Sequence, residues 1–176
     1  MKILTHSAPA GLWQEMIHDA MASCTITLSH EIEAYLSYLM MRYVNKPDVM
    51  HAPIALSFLE AVQQHPARRE LALQTIGDKC LLLSGLFPKV AQKRLVKISY
   101  FVRIGQAAYL GISKTQNDLY EALSFQFVSM MDVLQSIDRF SHLLPLEAYE
   151  QWHETQSQRA YKMLQEYTSA IPLKNS

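Results

Sequence analysis

The chain is 176 residues long, 49% apolar and 18% charged, and its 16 basic and 16 acidic side chains cancel. That length suits one domain whose core needs no disulfide or metal staple. The neutral balance gives no general attraction to nucleic acid or an anionic membrane, and no run of 18 uninterrupted apolar residues suggests a spanning helix.

Nearly every segment carries helical period, so the expected fold is all-α: one domain of about seven helices spanning residues 1–176. The opening "MKILTHSAPAG" has too short an apolar run for a signal peptide. Ser7 and Pro9 can start a first helix with Leu12, Trp13, Met16, Ala20 and Met21 on one side. "TITL" at 25–28 is too short and isolated to argue for a sheet. Ser29 is placed to cap "HEIEAYLSYLMMRYV", with Glu31 in the first turn. The broad stripe Ile32, Tyr35, Leu36, Leu39, Met40 and Tyr43 makes this second helix a candidate centre.

Asn45 to Ala52 reads as a loop, Pro53 opens a short third helix, and Pro66 starts a fourth that runs to about Ser84. Gly85 suits a left-handed helix end and Pro88 blocks continuation. A basic segment follows, then "ISYFVRIGQAAYLGIS", whose Gly105, Ala107, Ala108 and Gly111 permit close helix approach. A sixth helix, 116–140, carries Leu119, Leu123, Phe127, Met130, Leu134 and Ile137 and pairs with the second (29–44) as the expected inner pair. Pro145 opens the last helix and Pro172 ends it.

The fourth helix raises a question in "GDKCLLLSGLFP". Leu73, Ile76, Cys80 and Leu83 share one face, with Gly77 beside it as a point of close helix contact. Leu71, Thr75, Asp78 and Leu82 share the other. Two covered faces are therefore expected, with a carboxylate on the second that must find a partner or take up a proton. Arg103, Tyr100 and Lys79 are the candidate partners.

"GDKCLLLSGLFP", "YFVRIGQAAY", "YEQWHETQSQRA" and "EAYLSYL" together resemble an uncharacterised bacterial family of all-helical proteins. In it a "GD…LF.SG.F" stretch precedes "Y…G..AY" and an aromatic-rich last helix. The resemblance spans about 28–172 and implies a helical domain. Its pattern positions are Gly77, Asp78, Ser84, Gly85, Tyr100, Gly105, Ala108 and Tyr109; it implies no activity. Asp78, Tyr100, Arg103 and Tyr109 are thus the expected polar centre, structural or ligand-binding.

Two Glu-x-x-His elements, Glu15/His18 and Glu150/His153, have the spacing that di-iron bundles use, with Glu33, Glu121 or Glu60 as further ligands. Against a metal site, Glu15 and His18 fall opposite the Leu12/Met16/Ala20 stripe. Tyr35, Tyr38, Met40, Met41, Phe127, Met130, Met131 and Trp152 could line a pocket for a flat apolar cofactor, with His153, His30 or His142 on a haem iron. Such stripes also serve as plain core. No phosphate loop, C-x-x-C, H-E-x-x-H or G-x-S-x-G is present.

Charge is segregated: Lys79, Lys89, Lys93, Arg94, Lys97, Arg103 and Lys114 occur without an acid, and the stretch from Asp118 onward is acidic. These blocks are expected to pair within the fold or across a dimer. Cys24 and Cys80 read as buried thiols of a reducing, cytoplasmic setting. The low charge fraction, the two-faced helix and the segregated signs point to a non-catalytic protein acting through protein contacts as a homodimer. The alternative is a helical bundle holding a metal, haem-like or apolar ligand with redox chemistry. A nucleic-acid role rests on the basic run alone.

Overall fold

The computed structural model describes residues 9–43, 53–93, 96–112, 118–139 and 141–169. Among them are ten α-helices and no strand: α1 (Pro9–Cys24), α2 (His30–Tyr43), α3 (Ile54–Val62), α4 (Pro66–Gly85), α5 (Pro88–Lys93), α6 (Ile98–Leu110), α7 (Asp118–Phe125), α8 (Phe127–Ile137), α9 (Pro145–Thr155) and α10 (Gln158–Ser169). The expected all-α class is observed, with more helices than the seven expected. Ser7, the Asn45–Ala52 loop and Pro172 lie outside the described residues.

The three extra helices have local causes. The basic segment contains α5, opened by Pro88. The expected 116–140 helix breaks at Gln126, where φ −96° and ψ 15° depart from helical values, and Phe125 there stands 76% exposed. The last helix divides at Gln156, a left-handed residue at φ 60°, ψ 31° whose N–H still reaches the Trp152 carbonyl. That turn folds α10 back onto α9, and Pro145 pre-sets the first turn of α9 while Glu147 accepts a hydrogen bond from the Leu144 N–H at 2.9 Å.

The expected inner pair is not the centre. α4 is the hub, packing most extensively against α6 and then against α8 and α3, whereas α2 lies against α1 and the edge of α7. The sequence reason lies in the C-terminal half of α4, where Ile76–Asp78 and Cys80–Gly85 are all buried. Asp78 and Leu82 are covered as expected, but Leu71 is 59% exposed. Both faces of α4 are thus shielded only over its second half, and by the chain's own helices. The two-faced helix therefore gives no reason to invoke a second subunit.

Glycine sets how closely α4 is approached. A Cβ on Gly77 would lie 2.5 Å from the Tyr109 ring on α6, so Gly77 is the close-contact point its position suggested. Gly85 is not a left-handed terminus: no glycine among the described residues has positive φ. It is the last residue of α4, and a Cβ there would meet Leu134 of α8 at 2.7 Å. Its small size serves packing rather than a turn.

The "TITL" stretch is neither strand nor helix; Thr25 turns the chain at φ 58°, and Ile26 and Leu28 point into the core. One large cluster built from α1 to α8 forms that core. A second, small one (Leu143, Ala148 and Ala160, with Trp152, Met163 and Leu164 against them) lies within α9–α10 and the chain leading to them. Cys24 and Cys80 are both buried free thiols.

Candidate functional site

Asp78 sits in the middle of α4 with 1% of its surface exposed. A buried carboxylate must be compensated by donors, and two phenols supply them. Tyr35 of α2 donates to Oδ1 at 2.5 Å and Tyr109 of α6 donates to the same oxygen at 2.8 Å. Tyr120 of α7 completes the cluster, its ring edge-on to Tyr35 at 6.5 Å and tilted against Tyr109 at 6.2 Å, while Tyr35 and Tyr109 meet edge-on at 6.2 Å. Side chains from three helices therefore gather around the Asp78 carboxylate of α4, two of them donating to it.

Burial pushes the Asp78 carboxyl up to about 6, opposed by the two phenol hydrogen bonds and the Arg42 charge. The same burial, with Asp78 beside them, raises the Tyr35 and Tyr109 hydroxyls, which stay protonated and donate. A carboxyl titrating near neutrality has the acidity of a general acid or base. At 1% exposure, however, the carboxylate is closed off from solvent. The geometry is that of a polar pin fixing α2, α4 and α6. Removing the Tyr109 hydroxyl (Tyr109→Phe) is expected to cost about 1–2 kcal/mol in urea unfolding, because a buried acceptor loses one of its donors.

Of the expected centre, Asp78 and Tyr109 come together and the others do not. Tyr100 is half-buried with its ring edge-on to Phe101 at 5.3 Å. Arg103 is exposed and lies near Glu154 instead. Lys79 borders a groove with Ser57 and Glu60. Tyr35 was the missed partner. Its signal was its place on the apolar stripe of α2, because a tyrosine on a buried face needs an acceptor for its hydroxyl.

A second buried polar network was not foreseen. Asp132 of α8, 1% exposed, accepts from the Ser157 hydroxyl at 2.6 Å and from the Arg159 backbone N–H at 3.2 Å. Ser157 also accepts from the Ala160 N–H at 3.0 Å, which caps the start of α10. Gln135 donates to the Ser84 carbonyl at 2.8 Å and accepts from Gln151 at 2.9 Å. The Arg159 guanidinium donates to the Gln135 side-chain oxygen and the Ser141 carbonyl. Burial raises the Asp132 carboxyl to about 6, against the pull of Ser157 and Arg159.

The other candidates are separated or absorbed. Glu15 and His18 are exposed on α1, where His18 lies 3.9 Å from Glu33. Glu150 and His153 are exposed on α9, and His153 stacks on Tyr149. Among the described residues no three His, Cys, Asp or Glu side chains are grouped to hold a metal, Glu121 and Glu60 included. Met40, Phe127, Met130 and Met131 are core, and Tyr38 and Met41 face outward. Trp152 packs in the small cluster, and His30 and His142 are exposed. The residues expected to line a haem pocket thus do not surround a common space. No helix among the described residues is long and apolar enough to cross a membrane.

The surface has one further feature. α3 buries Ile54 and Ala61, yet on its outer side Leu56, Leu59 and Val62 are 53%, 60% and 41% exposed. Across a groove of about 420 Å³ lies the exposed Leu71 of α4, and Glu60, Arg68 and Lys79 line the same groove. Among the described residues the basic and acidic blocks of the chain meet where Lys97 and Ser99 both contact Glu154. In comparison with known proteins, no family model, no curated protein and no solved structure matches the chain.

Proposed function

We propose that the protein acts by contact with protein rather than by catalysis, as a cytoplasmic homodimer whose subunits meet through α3. The observation that carries this reading is the outer face of α3. A helix apolar on both sides is normally buried on both, and here Leu56, Leu59 and Val62 face solvent. A second copy of the chain is the occupant that fits best. A twofold interface must be complementary to itself, and the groove between α3 and α4 carries both signs, lined by Glu60 of α3 and by Arg68 and Lys79 of α4. A strongly acidic or basic partner would meet repulsion from one of them. The two buried free thiols suit a reducing compartment.

Sedimentation or light scattering over roughly a hundredfold range of concentration tests the proposal. The mass is expected to rise from 20.2 kDa toward twice that value, and Leu59→Lys is expected to hold it at the monomer value without lowering thermal stability. A wild-type chain that stays monomeric throughout the range, or a Leu59→Lys variant that dimerises like wild type, would overturn the assignment.

A further inference from the structure

The α9–α10 hairpin is built differently from the rest of the chain. Its apolar contacts are largely internal, because α9 and α10 pack extensively on each other and much less on α6 and α8. They share the small cluster around Ala148 and Ala160, separate from the main core. Two open clefts flank the hairpin where it meets the body. One, of about 230 Å³, runs between α9 (Glu147, Glu150) and the start of α6 (Val96, Ser99). The other, of about 240 Å³, runs between α10 (Lys162, Met163) and the end of α1 (Ser23, Cys24).

Several polar contacts cross between hairpin and body. Asp132 receives Ser157 and the Arg159 backbone, Gln135 exchanges with Gln151 and Arg159, and Lys97 and Ser99 hold Glu154 at the rim. Such bonds are replaced by bonds to water when the surfaces part, so separation loses little compared with exposing apolar core. Regions held in this way open at lower free energy than the whole fold.

We infer that α9–α10 is an arm that detaches from the folded body as one unit, with the Asp132–Ser157–Arg159 contact as its latch. Opening uncovers Gln135 and the Ser84 carbonyl at the end of α4, a polar strip that the closed arm conceals. The turn at Gln156 and the small cluster keep α9 and α10 together while the arm moves. The device is independent of α3 and of the oligomeric state proposed above.

Native-state hydrogen exchange of the full chain tests it. Amides of α9 and α10 are expected to exchange at least about tenfold faster than those of α4 and α6. They should share one opening equilibrium with a denaturant dependence well below that of global unfolding. Asp132→Ala is expected to accelerate exchange in the arm by a further factor of about ten, while amides of α4 and α6 keep their wild-type order of protection. Wild-type arm amides that exchange only with global unfolding, at the rate of α4, would overturn the inference without any variant. An Asp132→Ala chain in which all helices lose protection together would overturn the latch.

Discussion

Lowering the pH from 7 to 5 is expected to stabilise this fold by about 2–3 kcal/mol, the reverse of ordinary acid denaturation. Asp78 and Asp132 are each 1% exposed, and burial raises both carboxyls from 3.8 to about 6. Their neighbours oppose this rise without cancelling it. Asp78 meets the Tyr35 and Tyr109 hydroxyls and the more distant Arg42 charge. Asp132 meets Ser157, the backbone N–H groups of Arg159 and Gln158, and the Arg159 charge. Among the described residues the close contacts of either carboxylate are hydroxyls and backbone amides, which compensate its lost hydration only in part.

The sign follows from proton binding. Between about pH 4 and 6 the folded chain holds protons that the unfolded chain has released, so each group stabilises the fold fully below the unfolded value of 3.8. That stability is lost as pH rises through about 6. Each site is worth about 1.4 kcal/mol at pH 5 relative to pH 7. For a chain of this size the pair corresponds to a thermal midpoint about 5–10 °C higher at pH 5. Asp78→Asn should remove about half of the difference, because an amide oxygen still accepts from both phenols and no longer titrates. Thermal unfolding followed by circular dichroism at pH 5, 6 and 7 measures both. A midpoint that falls steadily on acidification, in wild type and Asp78→Asn alike, would refute the mechanism.

How far the sequence could be read depended on whether a feature was local. Helical period, Pro66, Pro88 and Pro145 act within a turn or two: the helices that Pro66 and Pro145 open are observed, and α4 stops before Pro88 as expected. Gly77 was legible because its place beside the Leu73/Ile76/Cys80 face left close approach as the reason for a glycine. Gly85 was misread because a glycine before a proline suits a helix end equally well, and only Leu134 across the core shows its role. The break at Gln126 left no trace in the pattern, since Leu123, Phe127, Met130 and Leu134 keep one buried stripe through it.

The polar centre was half legible for the same reason. That Asp78 needed a donor followed from its apolar neighbours in α4. Which donor it found depended on how α2 and α6 cross α4, and the candidates Arg103, Tyr100 and Lys79 did not include the tyrosine on α2. Leu71 marks the limit of the periodic argument. It shares a face with Asp78 and Leu82, but the helices that cover that face reach only the second half of α4.

Gly105→Ala is expected to cost about 2–3 kcal/mol, even though alanine is the better helix former by about 1 kcal/mol. Gly105 lies where α6 is crossed by both α8 and α4. An added Cβ would stand 2.3 Å from Phe127 Cε2, 2.4 Å from Cζ and 3.0 Å from the Cys80 Cβ. Phe127 is fully buried and has the Tyr109 ring beside it at a centroid distance of 6.0 Å. Displaced toward Tyr109, the ring presses on a residue that donates to Asp78. The Cys80 Cβ is fixed to the α4 backbone, so relief on that side requires the α4–α6 pair to spread. A double-mutant cycle with Phe127→Leu separates this clash from a general intolerance of α6. Leucine has no atoms where the ring edge lies, so Gly105→Ala should cost at least about 1 kcal/mol less in its presence than in wild type. Urea unfolding of the four proteins measures the coupling. A Gly105→Ala midpoint equal to wild type, or costs that simply add, would show that α6 does not approach α8 as closely as Gly105 allows.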